Sequence, residues 1–158
     1  LSGGTEAGVE LGALSVDHLE TMDDATIRLL AGSSTIGTLL PTAAYFLRMP
    51  YQPARQLIDA GCAIALASDY NPGSSPSGNM NMVASMSCIQ MKMLPEEVIN
   101  AATINGAFAM EVQDKTGSIR PGKKANLIFT HPLPNLASLF YSFGSNHIER
   151  VMLNGKII

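Results

Sequence analysis

Three places in this sequence put a reactive residue type where chemistry can be done. Asp69 follows the apolar run Ala63-Ile-Ala-Leu-Ala-Ser68, where a strand of that composition runs out. In parallel α/β proteins the C-terminal strand ends face the site, so a carboxylate there can ligate a metal or accept a proton. A turn-forming Asp ahead of Asn71-Pro72-Gly73 is the other reading, and spacing alone leaves both open. His18 holds the equivalent place in Leu14-Ser-Val-Asp-His-Leu19. An imidazole there can polarise a carbonyl or stabilise developing negative charge, while a hydrogen-bonded core histidine is the competing reading. Asp17, next door, should point to the other side of the strand as a structural carboxylate. The third place is Asn71-Pro-Gly-Ser-Ser75. Gly73 permits close backbone approach, Ser74 and Ser75 carry N–H and O–H donors, and a helix start a few residues on adds positive potential. The segment is either a cradle for a small carboxylate or phosphate, or an ordinary exposed turn.

The remaining candidates read as structure. His131 and His147 lie in loop-like surroundings, Cys62 and Cys88 sit on apolar stretches as core thiols, and Lys123-Lys124 is a solvated pair in a turn. A catalytic zinc site takes three protein ligands, and the chain has three histidines with no His-x-His pair. If Asp69 binds a metal, most of its co-ligands lie elsewhere.

The elements that must position these residues follow one pattern, repeated three times. Residues 6–11 end a helix, Gly12 stops it and 13–18 form an apolar strand. Thr21-Met-Asp-Asp24 opens a second helix with a capping-box-like start, Gly32 stops it, and 35–40 are the next strand. A third helix spans 53–60, followed by Gly61 and the strand 62–68. Glycine suits these stops because it takes the left-handed conformation without a Cβ clash. The strands do not alternate, which predicts burial on both faces, and the repeat predicts βα units with a parallel sheet. After Asp69, residues 70–78 form a loop, and Met82, Met86, Ile89 and Met93 mark one helix face. Pro95 starts another helix, with Val98, Ala101, Ala102, Phe108, Ala109 and Val112 on its inner side. Strands at 125–130 and 150–153 follow, the second turning at Asn154-Gly155 into a short strand at 156–158. Three units are fewer than the eight of a closed βα barrel, which needs about 250 residues.

Composition bounds the function. Of 158 residues 46% are apolar, enough for a sizeable core, yet no apolar run approaches a membrane span. Ten Lys and Arg against thirteen Asp and Glu, a net charge of −3, exclude a charge-driven nucleic-acid or anionic-membrane binder. Two cysteines suit a reducing compartment such as the cytoplasm. The chain opens on Leu1 and runs almost at once into helical sequence, as expected of a piece of a longer chain.

Gly4-Thr-Glu-Ala-Gly-Val-Glu-Leu-Gly-Ala-Leu-Ser-Val-Asp-His-Leu-Glu20, Leu40-Pro-Thr-Ala-Ala-Tyr-Phe46 and Ala67-Ser-Asp-Tyr-Asn-Pro-Gly-Ser-Ser75 together resemble the imidazolonepropionase family of metal-dependent amidohydrolases. Gly117-Ser-Ile-Arg-Pro-Gly-Lys-Lys-Ala-Asn-Leu127 resembles the segment that returns such chains from the barrel to a small β-sandwich, with Asn126 where the family usually has Asp. The resemblance implies an α/β fold: residues 1–116 as the last three units of a (β/α)8 TIM-type barrel, and 117–158 as the return segment. It implies hydrolysis of the ring amide of 4-imidazolone-5-propanoate to N-formimidoyl-L-glutamate, in histidine breakdown. Asp69 would ligate one zinc or iron ion and move a proton, and His18 would be the catalytic histidine near the scissile carbonyl. Asn71, Gly73 and Ser74 would contact the substrate, with the helix N-terminus helping to hold its propionate. The family's His-x-His pair and His-Ala-Asp-Glu motif are not in this sequence, so the rest of the same enzyme chain would supply the other ligands and this piece alone would be inactive. The full-length enzyme would be a homodimer. Two other readings stay open: an amidohydrolase or deaminase acting on a different ring, and a non-catalytic scaffold module.

Overall fold

A computed structural model describes residues 3–158. Its first half alternates helix and strand: α1 (Gly4–Glu10), β1 (Ser15–His18), α2 (Asp24–Ala31), β2 (Ile36–Leu39), α3 (Pro41–Leu47), α4 (Ala54–Asp59) and β3 (Ile64–Leu66). The strands form a parallel sheet in the order β1-β2-β3, with Ser15 opposite Ile36 and Gly37 opposite Ile64. Gly12 and Gly61 take positive φ after α1 and α4, as expected. Gly32 does not, for at φ −82° it ends α2 without the left-handed conformation. The start of α2 also differs from expectation. Asp23, not Thr21, is the cap, and its side chain accepts the Thr26 N–H at 2.8 Å. Every residue of β2 and β3 is buried, whereas the last two of β1 are exposed.

α3 has no counterpart in the sequence reading. Pro41 starts it, Thr42, Ala43 and Ala44 face inward, and Tyr45, Phe46 and Leu47 face out. With apolar residues on both sides, no 3.6-residue period marks it. The methionine helix, α5 (Met80–Ile89), is turned from its expected face. Val83, Met86 and Ser87 are buried, Ile89 is 55% exposed, and Met93 is buried but lies beyond the helix. α6 (Pro95–Asn100) runs through a π-helical turn (Ala101–Asn105) into α7 (Gly106–Ala109). The wider turn breaks the spacing that predicted Phe108 inside, so Ala107 is buried and Phe108 half exposed.

Arg55 ties α4 to the start of α6. Its guanidinium donates to both Glu97 carboxylate oxygens at 2.9 and 3.0 Å and to Asp59 at 3.0 Å, while Glu97 also accepts the Leu94 N–H at 2.7 Å. The Arg55 hydrogen bonds, aided by Leu94 and opposed by burial, hold the Glu97 carboxyl below its usual range. A depressed carboxyl stabilises the fold above its unfolded value, and that contribution is lost as pH falls through the folded one. Glu97→Gln should therefore cost about 1 kcal/mol at neutral pH, with the gap to wild type closing below about pH 4. Urea unfolding of both proteins at the two pH values reads this directly.

The last third forms an antiparallel sheet of β4 (Leu127–Thr130), β5 (Ile148–Leu153) and β6 (Lys156–Ile157), with α8 (Leu136–Tyr141) between its first two strands. α8 sends Phe140 into the same core as Leu30, Leu39, Leu57, Val83 and Val98. Asn154 and Gly155, both at positive φ, make the β5–β6 turn as predicted. Asn126 accepts the Asn154 N–H at 2.8 Å, which gives that side chain a structural task an Asp could also perform. Lys123 is not simply solvated: its ammonium donates to the Thr116 carbonyl and the Ser118 hydroxyl, closing the turn between them.

Candidate active site

Asp69 stands three residues beyond β3, at φ 50°, a left-handed backbone that Asp tolerates better than most residues. Its approach is pinned from below. The Ser68 carbonyl accepts the Thr42 hydroxyl at 2.9 Å and the Ser75 hydroxyl at 2.6 Å. The loop above is organised by Asn71, whose Oδ1 accepts the N–H groups of Gly73 and Ser74 at 2.8 Å each. Asn71 Nδ2 donates to the Asp69 carbonyl and to Ser74 Oγ, both at 2.7 Å, and the Ser74 hydroxyl donates to Asp69 Oδ2 at 2.8 Å. One carboxylate oxygen is thus held in place, while Oδ1 has no hydrogen bond among the described residues. The expectation that Ser74 and Ser75 offer N–H and O–H donors to an anion is not met. The Ser74 N–H donates to Asn71 Oδ1 and its hydroxyl to Asp69, while the Ser75 N–H donates to the Asn71 carbonyl and its hydroxyl to the Ser68 carbonyl. The start of α5 is capped too, by Asn79 Oδ1 on the Met82 N–H, and borders a separate cleft with Phe143 and Ser145.

His18 closes β1 and lines a cleft of about 310 Å³ between α1 and the β1–α2 connection, together with Thr5, Glu6 and Glu20. Asp17, expected on the opposite side, lines the same cleft. The cause is local. His18 and Leu19 are both left-handed, at φ 79° and 66°, which turns the chain so that Leu19 is buried while the His18 side chain stays half exposed. His18 Nδ1 lies 3.2 Å from Glu20 Oε1, and Glu20 in turn accepts Gln52 Nε2 at 2.8 Å. Sequence reasoning missed Glu20 and Gln52; the one available signal was a carboxylate two residues after the histidine.

The fold places His18 and Asp69 at the same C-terminal edge without contact between them. β1 and β3 are separated by β2, which sets these two strands roughly 10 Å apart, and Asp69 does not line the His18 cleft. Among the described residues no group of three His, Cys, Asp or Glu side chains could hold a metal ion. These residues by themselves therefore do not fit a metal, and Asp69 offers one carboxylate toward such a site. Cys62 and Cys88 are free, and burial raises both thiols, Cys88 to about 11 with help from Glu96 and Glu97, which keeps them inert at neutral pH. His131 is exposed, whereas His147 has a buried Nε2 with no hydrogen-bond partner. No helix of the described residues is long and apolar enough to cross a membrane.

Parallel βα units with their polar side chains gathered at the C-terminal strand edge agree with the family profile that matches residues 6–158, and the chain belongs to the amidohydrolase family. Within that family it is 56% identical over 156 residues to the imidazolonepropionase of Flavobacterium johnsoniae, a match covering 99% of this chain and 38% of the relative. It is 54% identical, with the same coverage, to that of Christiangramia forsetii and 46% identical to that of Geobacillus kaustophilus, over 99% of this chain and 37% of the relative. The chain thus spans less than two-fifths of the length of these curated relatives. Among solved structures, an adenosine deaminase from Xanthomonas campestris with bound zinc superposes with a TM-score of 0.83 at 22% identity, covering 99% of this chain and 43% of that one. A variant atrazine chlorohydrolase from Arthrobacter aurescens, complexed with zinc and atraton, gives 0.78 at 16% identity, covering 90% and 35%. These likenesses establish an α/β fold of the TIM-barrel type.

Proposed function

We propose that this chain is the C-terminal part of an imidazolonepropionase, with residues 1–116 closing a (β/α)8 barrel and residues 117–158 returning to a small β-sandwich. The whole enzyme would act in the cytoplasm as a homodimer in histidine breakdown. Its substrate would be 4-imidazolone-5-propanoate. Water adds to the ring carbonyl carbon, the bond from that carbon to the ring nitrogen breaks, and N-formimidoyl-L-glutamate is released. Asp69 would take the proton from the attacking water and return it to the departing nitrogen. His18, across the strand edge, would be the catalytic histidine near the scissile carbonyl, with its ring nitrogen Nε2 on the cleft side. Asn71 orders the loop, and Gly73 and Ser74 would border the substrate's propionate. One zinc or iron ion, its remaining ligands drawn from the rest of the enzyme chain, would supply Lewis acidity when bound, with Asp69 as the ligand from these residues.

The observation that carries this reading is 56% identity to an imidazolonepropionase across 99% of the chain, with His18 and Asp69 on one strand edge. Purified full-length protein should convert 4-imidazolone-5-propanoate to N-formimidoyl-L-glutamate and contain close to one zinc or iron per chain. Residues 1–158 alone should show neither property. A folded, metal-loaded full-length protein that leaves this substrate intact while opening or deaminating another ring would overturn the assignment.

A further inference from the structure

We propose that Glu20, clamped by Gln52, is a positioning residue that holds the His18 ring in one tautomer and one orientation. The inference rests on the role proposed for His18. Glu20 is separated from His18 only by Leu19, whose buried side chain anchors the turn. Although His18 is half exposed, the Glu20 side chain is only 8% exposed, so the carboxylate lies beneath the ring rather than in solvent. An ionised carboxylate only accepts hydrogen bonds, so at 3.2 Å it requires the hydrogen on His18 Nδ1. That leaves Nε2 as the nitrogen without a hydrogen, and it has no partner among the described residues on a ring that lines the cleft.

Gln52 explains why the carboxylate stays there. The residue is 2% exposed, and its Nε2 donates at 2.8 Å to the same Oε1 that faces His18. Its own Oε1 is buried without a hydrogen-bond partner. A glutamine serving only the core would satisfy both ends of its amide. Here one end is left unmet, and the amide has one acceptable orientation, because the reverse would set two oxygens against each other. The chain Gln52–Glu20–His18 thus runs from the connection ahead of α4 to the C-terminal edge of β1, joining Glu20 to a residue 32 positions further along the sequence.

The test uses the full-length protein with labelled histidine, His18→Gln serving to assign the ring resonances. In the wild type at a pH where the ring is neutral, nitrogen NMR should show His18 with its hydrogen on Nδ1. Glu20→Gln should move the ring to a mixture of tautomers and lower kcat by about tenfold or more, with KM within about twofold. Gln52→Leu should move both readouts in the same direction by less, and it carries the test if Glu20→Gln does not fold. If both variants keep the wild-type His18 spectrum, the clamp is refuted, whatever their melting temperatures. An inactive wild type would instead sink the proposed function, and the NMR comparison would still decide the clamp.

Discussion

Asp69→Asn in the full-length protein should lower kcat for ring opening by about 10³-fold while leaving the loop as it is. The substitution separates charge from shape. Asn is among the residues that best tolerate left-handed backbone, so φ 50° at this position brings no new strain. The Ser74 hydroxyl now donates to Asp69 Oδ2 at 2.8 Å and would find the amide oxygen of Asn in the same place. The Asn71 contacts to the Asp69 carbonyl and to Ser74 do not involve the substituted group. What disappears is the negative charge and the capacity to take up a proton. Steady-state rates, thermal melts and metal content of the variant are the measurements. A variant that binds metal and melts like wild type yet keeps its kcat within about tenfold would remove Asp69 from the chemistry.

Gly117→Ala should be strongly destabilising for a single added methyl, at about 2–5 kcal/mol. Two effects add. Gly117 sits at φ 85°, where a side chain costs roughly 1–2 kcal/mol. The new Cβ would also lie 2.6 Å from the Ala107 Cβ, 3.0 Å from the Thr103 carbonyl oxygen and 3.1 Å from the Ile104 Cα. Two of those three atoms are backbone of the π-helical turn, which cannot swing aside as a flexible side chain would, so overpacking adds about 1–3 kcal/mol. Gly122→Ala is the built-in comparison: its φ is 89°, but nothing lies within 4 Å of the added Cβ. It should lose only the conformational part, about 1 kcal/mol. Urea unfolding of the two variants side by side isolates the packing contribution. Equal losses would mean that the π-helical turn yields.

Much of this protein could be read from local physics. The helix, glycine, apolar strand repeat produced a parallel sheet, because strands buried on both faces are mostly apolar rather than alternating, and β2 and β3 are buried throughout with Thr38 their one polar side chain. Asn154-Gly155 announced its turn because few residue pairs accept two positive φ values in succession. Asp69 and His18 stood out because their strands end beside them. The failures have local causes. α3 went unseen because it carries apolar residues on its exposed side as well as its buried one, and Phe108 was misplaced because the π-helical turn shifts the spacing ahead of α7.

The sequence by itself determined which residue types lie at the C-terminal strand edge, and through them the family. Only the tertiary structure decided what those residues have free to offer. The N–H groups of Gly73 and Ser74 face Asn71 instead of a ligand, and a buried carboxylate held by Gln52, 32 residues further on, reaches His18. Spacing along the chain reports which strand end a side chain occupies. It does not report hydrogen bonds satisfied across the fold, because their partners are chosen by packing rather than by sequence distance.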